Sequence, residues 1–304
     1  MSGQRLKKRI VILKHNGGRL GNQLLLFCSV YAFCLENKYE FVNYSFYNYW
    51  KYFELKNNDW FIKILGVLGE LNLYKAHSTH LIIYHLYTFF ASIYIFFNKG
   101  SIIHTLPSDA TLLPPSSSDS QANQDLVSKL FNSKDRTIYL SGWTFRNPVG
   151  IRKYHQEIRK LLQPRKEILQ RIQKVIIPLR MQYKNIIGVH IRQGDYKVWQ
   201  GGKYYFSQAE VASILETFLL RKRLSRKKSV FLICSDGYID QSIFQNLNVK
   251  IGPGSLIEDL FSLSECDLVI GSNSTFGRFA AYYGNRDLYF FDRKKKFVKQ
   301  DYGF

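Results

Sequence analysis

From residue 185 onward, short apolar runs alternate with longer amphipathic stretches. "NIIGVHIR" (185–192), "KSVFLICS" (228–235), "VKIG" (249–252), "DLVIGS" (267–272) and "DLYFF" (287–291) read as strands. Between them lie helical patterns: "SQAEVASILETFLLRK" (207–222), a short helix around 239–246, "SLIEDLFSLSEC" (255–266) and "STFGRFAAYYG" (274–284). Two of these helices open with a Ser-x-x-Glu pattern, Ser207 with Glu210 and Ser255 with Glu258, which predicts a capping box at each start. Strands alternating with helices predict a doubly wound α/β domain with a mostly parallel sheet.

The rest of the chain is less regular. "RIVILKH" (9–15) predicts a strand, followed by "NGGRLGNQ" and an apolar helix from about Asn22 to Glu36. "RTIYLSGWTF" (136–145) reads as another strand, and 151–175 as one charged, amphipathic helix. The segment 106–124 is rich in Pro and Ser and reads as a surface loop. "LIIYHLYTFFASIYIFF" (81–97) holds no acid, lysine or arginine but falls just under the ~18 residues a membrane span needs. It reads as a buried helix pair or a surface-embedded amphipathic segment rather than a span. The expected organisation is an N-terminal α/β domain over 1–150, a connector helix over 151–180, a C-terminal α/β domain over 181–292 and a solvated basic tail over 293–304.

Charge narrows the partners. With 43 Lys+Arg against 23 Asp+Glu, the net +20 favours anionic ligands: nucleic acid, an anionic membrane surface or phosphorylated small molecules. The basic residues are spread along the chain without an RNA- or DNA-binding motif, so no nucleic acid is expected. Cys28, Cys34, Cys234 and Cys266 show no metal-ligand spacing and predict buried free thiols, which suit a reducing, cytoplasmic setting. The basic N-terminus runs into "IVILKH", an apolar run too short for a signal peptide.

Open α/β sheets bind ligands beyond the carboxyl ends of their strands. Three segments should therefore meet at one sheet edge: "HIRQGD" (190–195), "SDG" (235–237) and "SNSTFGR" (272–278). Arg192 is suited to grip phosphate oxygens with two parallel hydrogen bonds, or to form an interdomain ion pair. His190, on the same strand face, either donates to a phosphate or serves as a satisfied core histidine. Asp195 orients Arg192 or caps the turn after Gly194. Ser274 or Thr275 caps a helix whose N-terminus is an anion site. Asp236 pairs with a nucleobase or ribose, or simply forms the turn before Gly237. "GGRLGNQ" (17–23) repeats the strand, glycine loop and helix logic, but is neither a G-x-G-x-x-G nor a P-loop sequence.

Taken in order, "HNGGRLGNQLLLFCSVYAF", "LSGWTFRNP", "VHIRQGDY", "SDG" and "DLFSLSECDLVIGSNSTFGRFAAYYG" resemble glycosyltransferase family 11, the α-1,2-fucosyltransferases. More loosely, they resemble the inverting fucosyltransferases with an H-x-R-R-x-D motif. The resemblance covers about residues 9–292, apart from the segments between 45 and 130. It implies a GT-B architecture of two Rossmann-like α/β domains facing across a cleft, a GDP-fucose donor, and inverting transfer to a sugar hydroxyl without a metal or other cofactor. A glycan or lipid-linked oligosaccharide acceptor is expected, with the acceptor side on the N-terminal domain, and the lipid-linked form is compatible with peripheral membrane contact through 81–97.

Carried over by position, Arg192, His190 and Asp195 match the motif's fixed residues, with Arg192 on the donor pyrophosphate. Gly18, Gly21, Asn22 and Gln23 match the N-terminal donor loop. Asp236, Ser272, Asn273, Ser274 and Thr275 look like donor contacts in the C-terminal half. The motif's second arginine is Gln193 here, and the usual aromatic pair after the Asn-Ser turn gives way to Gly277, Arg278, Phe279 and Ala280. Arg278 is then a candidate to restore the lost positive charge. Another nucleotide sugar is the alternative donor. Asp195 and Glu54 are candidates for a general base.

Overall fold

The computed structural model describes residues 8–14, 19–54, 77–98, 100–104, 121–142 and 145–302. The chain divides into two compact units, with the boundary in the sequence between Pro164 and Arg165.

The first unit contains a four-stranded parallel sheet in the order β2-β1-β4-β3. Its strands are β1 (Arg9–Lys14), β2 (Glu40–Asn43), β3 (Ser101–His104) and β4 (Thr137–Ser141). After β1 comes α1 (Leu20–Asn37), which starts two residues earlier than its apolar pattern predicts and is buried along most of its length. Lys38 ends it in the left-handed conformation, with its N–H directed to the carbonyls of Cys34 and Leu35.

The 81–97 segment lies inside one continuous helix, α2 (His77–Asn98), and not in a helix pair. Tyr87 and Ala91 bury against a cluster that includes Val11, Val42, Tyr44 and Tyr139. Leu86, Phe89, Phe90, Ile93, Phe96 and Phe97 stand exposed along the same helix. Among the described residues no helix is long and apolar enough to cross a membrane.

Of the Pro/Ser stretch 106–124, residues from Gln121 on begin α3 (Gln121–Asn132), and the remainder lies outside the described residues. The expected connector is three helices rather than one: α4 (Pro148–Lys153), α5 (His155–Leu161) and α6 (Lys166–Gln182). The chain leaves helical geometry around Pro164, which forms a bridge with Phe53, and only α6 belongs to the second unit.

The second unit is a six-stranded sheet in the order β10-β9-β8-β5-β6-β7. Its strands are β5 (Asn185–Ile191), β6 (Ser229–Ser235), β7 (Val249–Ile251), β8 (Leu268–Gly271), β9 (Asp287–Asp292) and β10 (Lys296–Gln300). All pairs are parallel except β9 with β10. β5 is buried at every position after Asn185, as a strand covered on both faces must be. Its helices are α6, α7 (Gln208–Arg221), α8 (Leu256–Glu265) and α9 (Thr275–Gly284). Ser207 and Glu210 form the predicted capping box. At the second predicted box only half forms: Ser255 caps Glu258 N–H, while the Glu258 carboxylate pairs with Arg171.

The basic tail is corrected as well. Residues 296–300 pair antiparallel with β9, and Phe297 packs edge-on against Phe218 and Tyr289. The four cysteines are free and buried, as expected.

Candidate functional site

In this sheet the strand order reverses between β5 and β8, where the chain goes one way to β6 and β7 and the other way to β8 and β9. Such a switch point leaves a crevice at the carboxyl ends, because the two loops leaving it run in opposite directions. The three predicted segments all emerge at that edge. The loop after β5 is tied to the one after β8 by Arg192 N–H donating to Ser272 Oγ at 3.0 Å. It is tied to the loop after β6 by Gln193 and Gly194 N–H, both donating to Asp236 Oδ1 at 2.7 and 3.1 Å. Gly271 makes the β8 side possible: a Cβ there would meet the His190 carbonyl oxygen at 2.3 Å.

Arg192 is the centre of the cluster, its side chain 15% exposed. Its Nε and Nη2 donate to the two oxygens of Asp195, each at 2.9 Å, and Asp236 Oδ2 lies 3.3 Å from Nε. The guanidinium rests over the Tyr196 ring, 5.2 Å from its centroid. Burial pulls the Arg192 pKa down, but hydrogen bonding to Asp195 and the charges of Asp195 and Asp236 more than offset it, and the net direction is up. Among the described residues nothing accepts from Nη1. Asp195 thus takes the first of its two predicted roles, orienting Arg192. Asp236 ties the loop together, and turn formation alone does not describe it.

His190 is buried, stacked on Phe276 at 4.8 Å, with Nδ1 3.0 Å from Ser274 Oγ. Burial and then the Arg192 charge lower its pKa to about 4, against a weaker pull from Asp236, so it is neutral near pH 7. Ser274, and not Thr275, caps α9, accepting from Gly277 N–H at 3.2 Å. Arg278 lies buried on α9, its guanidinium 3.2 Å from Asn273 Oδ1 and 4.7 Å from the centroid of the Phe290 ring. Burial lowers its pKa. Gln193, where the resemblance would put an arginine, is also buried: its Nε2 donates to the Phe206 carbonyl at 3.0 Å and its Oε1 accepts from Tyr205 at 3.4 Å. An uncharged amide suits that enclosed position, where a guanidinium would have to be desolvated.

The N-terminal candidates belong to the first unit. Gly18 lies outside the described residues, while Gly21, Asn22 and Gln23 sit in the first turn of α1 and not in the loop before it. Gly21 and Gln23 are buried, and Asn22 is half-buried. Glu54 is exposed in the same unit.

Four residues at the second unit's site escaped the sequence reading. Tyr196 is buried, donates from its hydroxyl to the Asn273 carbonyl at 2.6 Å, and has its pKa pushed up to about 12, chiefly by burial. Trp199 and Tyr204 gather around it. Asp259, in the first turn of α8, accepts from Gly254 N–H at 2.9 Å, and burial raises its pKa to about 6. The aromatic density of "DYKVWQGGKYYF" was a usable signal for the first three. Asp259 gave none, because an acid near a helix start reads as a dipole partner. Among the described residues, no group of three or more His, Cys, Asp or Glu side chains is placed to hold a metal ion.

Comparison with known proteins places this arrangement. The family model described as Glycosyl transferase family 11 matches residues 121–294. Galactoside alpha-(1,2)-fucosyltransferase 2 of Mus musculus is 29% identical over 171 residues, 50% of this chain and 45% of that protein. The chain therefore spans about half the length of the curated relative it matches. Among solved structures, a mutant of Arabidopsis thaliana FUT1 in complex with GDP has a TM-score of 0.58 at 12% identity, covering 98% of this chain and 75% of that one. NodZ alpha-1,6-fucosyltransferase soaked with GDP-fucose, an enzyme from Bradyrhizobium, gives 0.57 at 17% identity, covering 97% and 99%. These likenesses bear out the expected GT-B-like α/β fold class. The family match covers more than half of the chain, which belongs to glycosyl transferase family 11.

Proposed function

We propose that this member of glycosyl transferase family 11 moves fucose from GDP-fucose to a hydroxyl of a glycan acceptor, forming an α-1,2 linkage with inversion and without a metal. The observation that supports it best is Arg192, held at the sheet's switch point by two carboxylates and a tyrosine ring, with Nη1 still available. The donor suits relatives whose names include fucosyltransferase and whose structures hold GDP or GDP-fucose.

In this reading the acceptor oxygen attacks the anomeric carbon as the bond to the β-phosphate oxygen breaks, and the electron pair leaves on GDP. Arg192 stabilises that growing charge, an interaction that strengthens in the transition state. Two carboxylates beside one guanidinium leave the trio at a formal −1. The pull on a diphosphate therefore needs Nη1 together with the α9 N-terminus and the exposed Lys197 and Lys203. Arg278 is a poor substitute for the missing motif arginine, since its guanidinium is buried against Phe290. Asp195, with both oxygens on Arg192, braces the guanidinium and is ill placed to take the hydroxyl proton. The exposed apolar stripe of α2 would suit a peripheral seat on a membrane carrying a lipid-linked acceptor.

The test is turnover of GDP-fucose by Arg192→Ala and Arg192→Lys, with and without EDTA. Both variants should lose at least about 100-fold in kcat, because a lysine cannot be braced by Asp195 through two parallel hydrogen bonds while a further nitrogen faces the diphosphate. Retention of activity within tenfold by the alanine variant would overturn the assignment. Loss of wild-type turnover in EDTA would remove the metal-free part of the proposal.

A further inference from the structure

The loop between β5 and α7 holds an aromatic group that the chemistry above leaves unused. Trp199 is 46% exposed, yet its indole is fixed. It stacks on Tyr196 at 5.2 Å and 21°, and lies 5.3 Å and 30° from Tyr204. Tyr196 is itself pinned by its hydrogen bond to Asn273 and carries Arg192 on its ring. Guanidinium, phenol and indole thus form a ladder in which Trp199 stands two ring spacings from the phosphate-gripping group.

The backbone is shaped to keep it there. Gln200, Gly201 and Gly202 are all left-handed, with φ of 48°, 65° and 75°. For Gln200 that conformation is strained, and it persists only where the surroundings enforce it. Among the described residues nothing accepts from the indole Nε1. The result is a rigid surface with one apolar face and one N–H donor at its edge. A flat apolar face edged by a polar donor matches a pyranose, which offers a C–H face and a rim of hydroxyls.

We propose that Trp199 is the stacking platform for a pyranose ring of the acceptor. The inference rests on the function proposed above. In a nucleotide-sugar donor, the reacting carbon is joined directly to the phosphate that Arg192 holds, whereas the base is separated from it by a further phosphate and a ribose. The outer face of the ladder is assigned to the reacting sugars, and the GDP affinity of the variants, which stacking of the base would lower, is the control.

The experiment compares wild type, Trp199→Ala and Trp199→Phe, using GDP-fucose with methyl β-glycosides of galactose, glucose and N-acetylglucosamine as acceptor probes. GDP affinity is measured separately by calorimetry. Trp199→Ala should raise the acceptor KM about tenfold, the worth of one good aromatic stack, and Trp199→Phe should recover part of that loss. GDP affinity should stay within about twofold. Tyr196→Leu, which removes the rung beneath Arg192, should instead weaken GDP.

An unchanged acceptor KM in Trp199→Ala, or a fall in GDP affinity equal to the rise in KM, would overturn the platform. So would a wild type that hydrolyses GDP-fucose but accepts none of the glycosides. A wild type that binds no GDP and turns over no GDP-fucose would instead sink the function proposed above, and the platform with it.

Discussion

Replacing His190 should change how stability depends on pH, in a direction and size that the structure fixes. In the folded protein the imidazole is buried against Phe276, and its pKa is about 4; an unfolded chain restores it to 6.5. Between those values the unfolded state takes up a proton that the folded state refuses. Stability is then complete above pH 6.5 and is lost as pH falls toward 4. At about 1.36 kcal/mol per pH unit, the loss attributable to His190 is about 2 kcal/mol by pH 5 and about 3 kcal/mol near pH 4.

Asp259 hides the effect in the wild type. Its pKa rises from 3.8 to about 6 on folding, so over nearly the same interval the folded state binds the extra proton and gains stability as pH falls. The two slopes oppose each other, and a wild-type curve alone reports neither. Urea unfolding of wild type and His190→Gln at pH 7.5, 6.0 and 5.0 separates them. The variant pays whatever constant cost the lost stack imposes. Relative to wild type it should then recover about 2 kcal/mol between pH 7.5 and 5.0. Parallel curves would show that His190 takes up its proton in the fold as readily as in the unfolded chain, and refute the burial argument.

Two further outcomes follow from buried contacts. Asp259→Asn should show the opposite trend, gaining on wild type as pH rises from 4 to 7, by up to about 3 kcal/mol in the same urea experiments; a pH-independent difference would mean its carboxylate is ionised throughout. Gly271→Ala should destabilise by about 3 kcal/mol or fail to give folded protein, because the new methyl would have to displace the β5 backbone at His190; a thermal midpoint within a degree or two of wild type would contradict that packing.

Much of the second unit was legible in its sequence. Its central strands β5 and β6 are buried on both faces and read as plain apolar runs, and serine caps mark three of its helix starts. Because ligand groups in such sheets gather where strands end, Arg192, Asp195, Asp236, Ser272 and Ser274 could be picked out one loop at a time. What one loop cannot show is its partner. Tyr196 owes its place to Asn273, 77 residues later, and Gln193 owes its burial to the Phe206 carbonyl.

β10 was missed for a different reason. Its lysines suggest solvent, yet Asp292 accepts from the N–H groups of Lys294 and Lys295 and turns the chain back, so that Phe297 packs on the α7 side of the sheet. In the first unit, α2 has apolar residues on every side, so its periodicity could not say which face the sheet would cover.

That returning strand also bears on how crowded this protein can be. A parallel sheet ending at β9 would offer a row of unpaired backbone groups to any extended segment nearby. β10 occupies that row with its direction reversed, and sets Lys296 and Lys299 along the new margin, Lys299 held by Asp287 at 2.9 Å. At the opposite margin β7 is three residues long, with an exposed Lys250 at its centre. A foreign strand docking at either side must desolvate an ammonium to gain a few hydrogen bonds. The sheet that carries the candidate site is in this way guarded against growing from one molecule into the next, which resists aggregation without any contribution from the chemistry at its switch point.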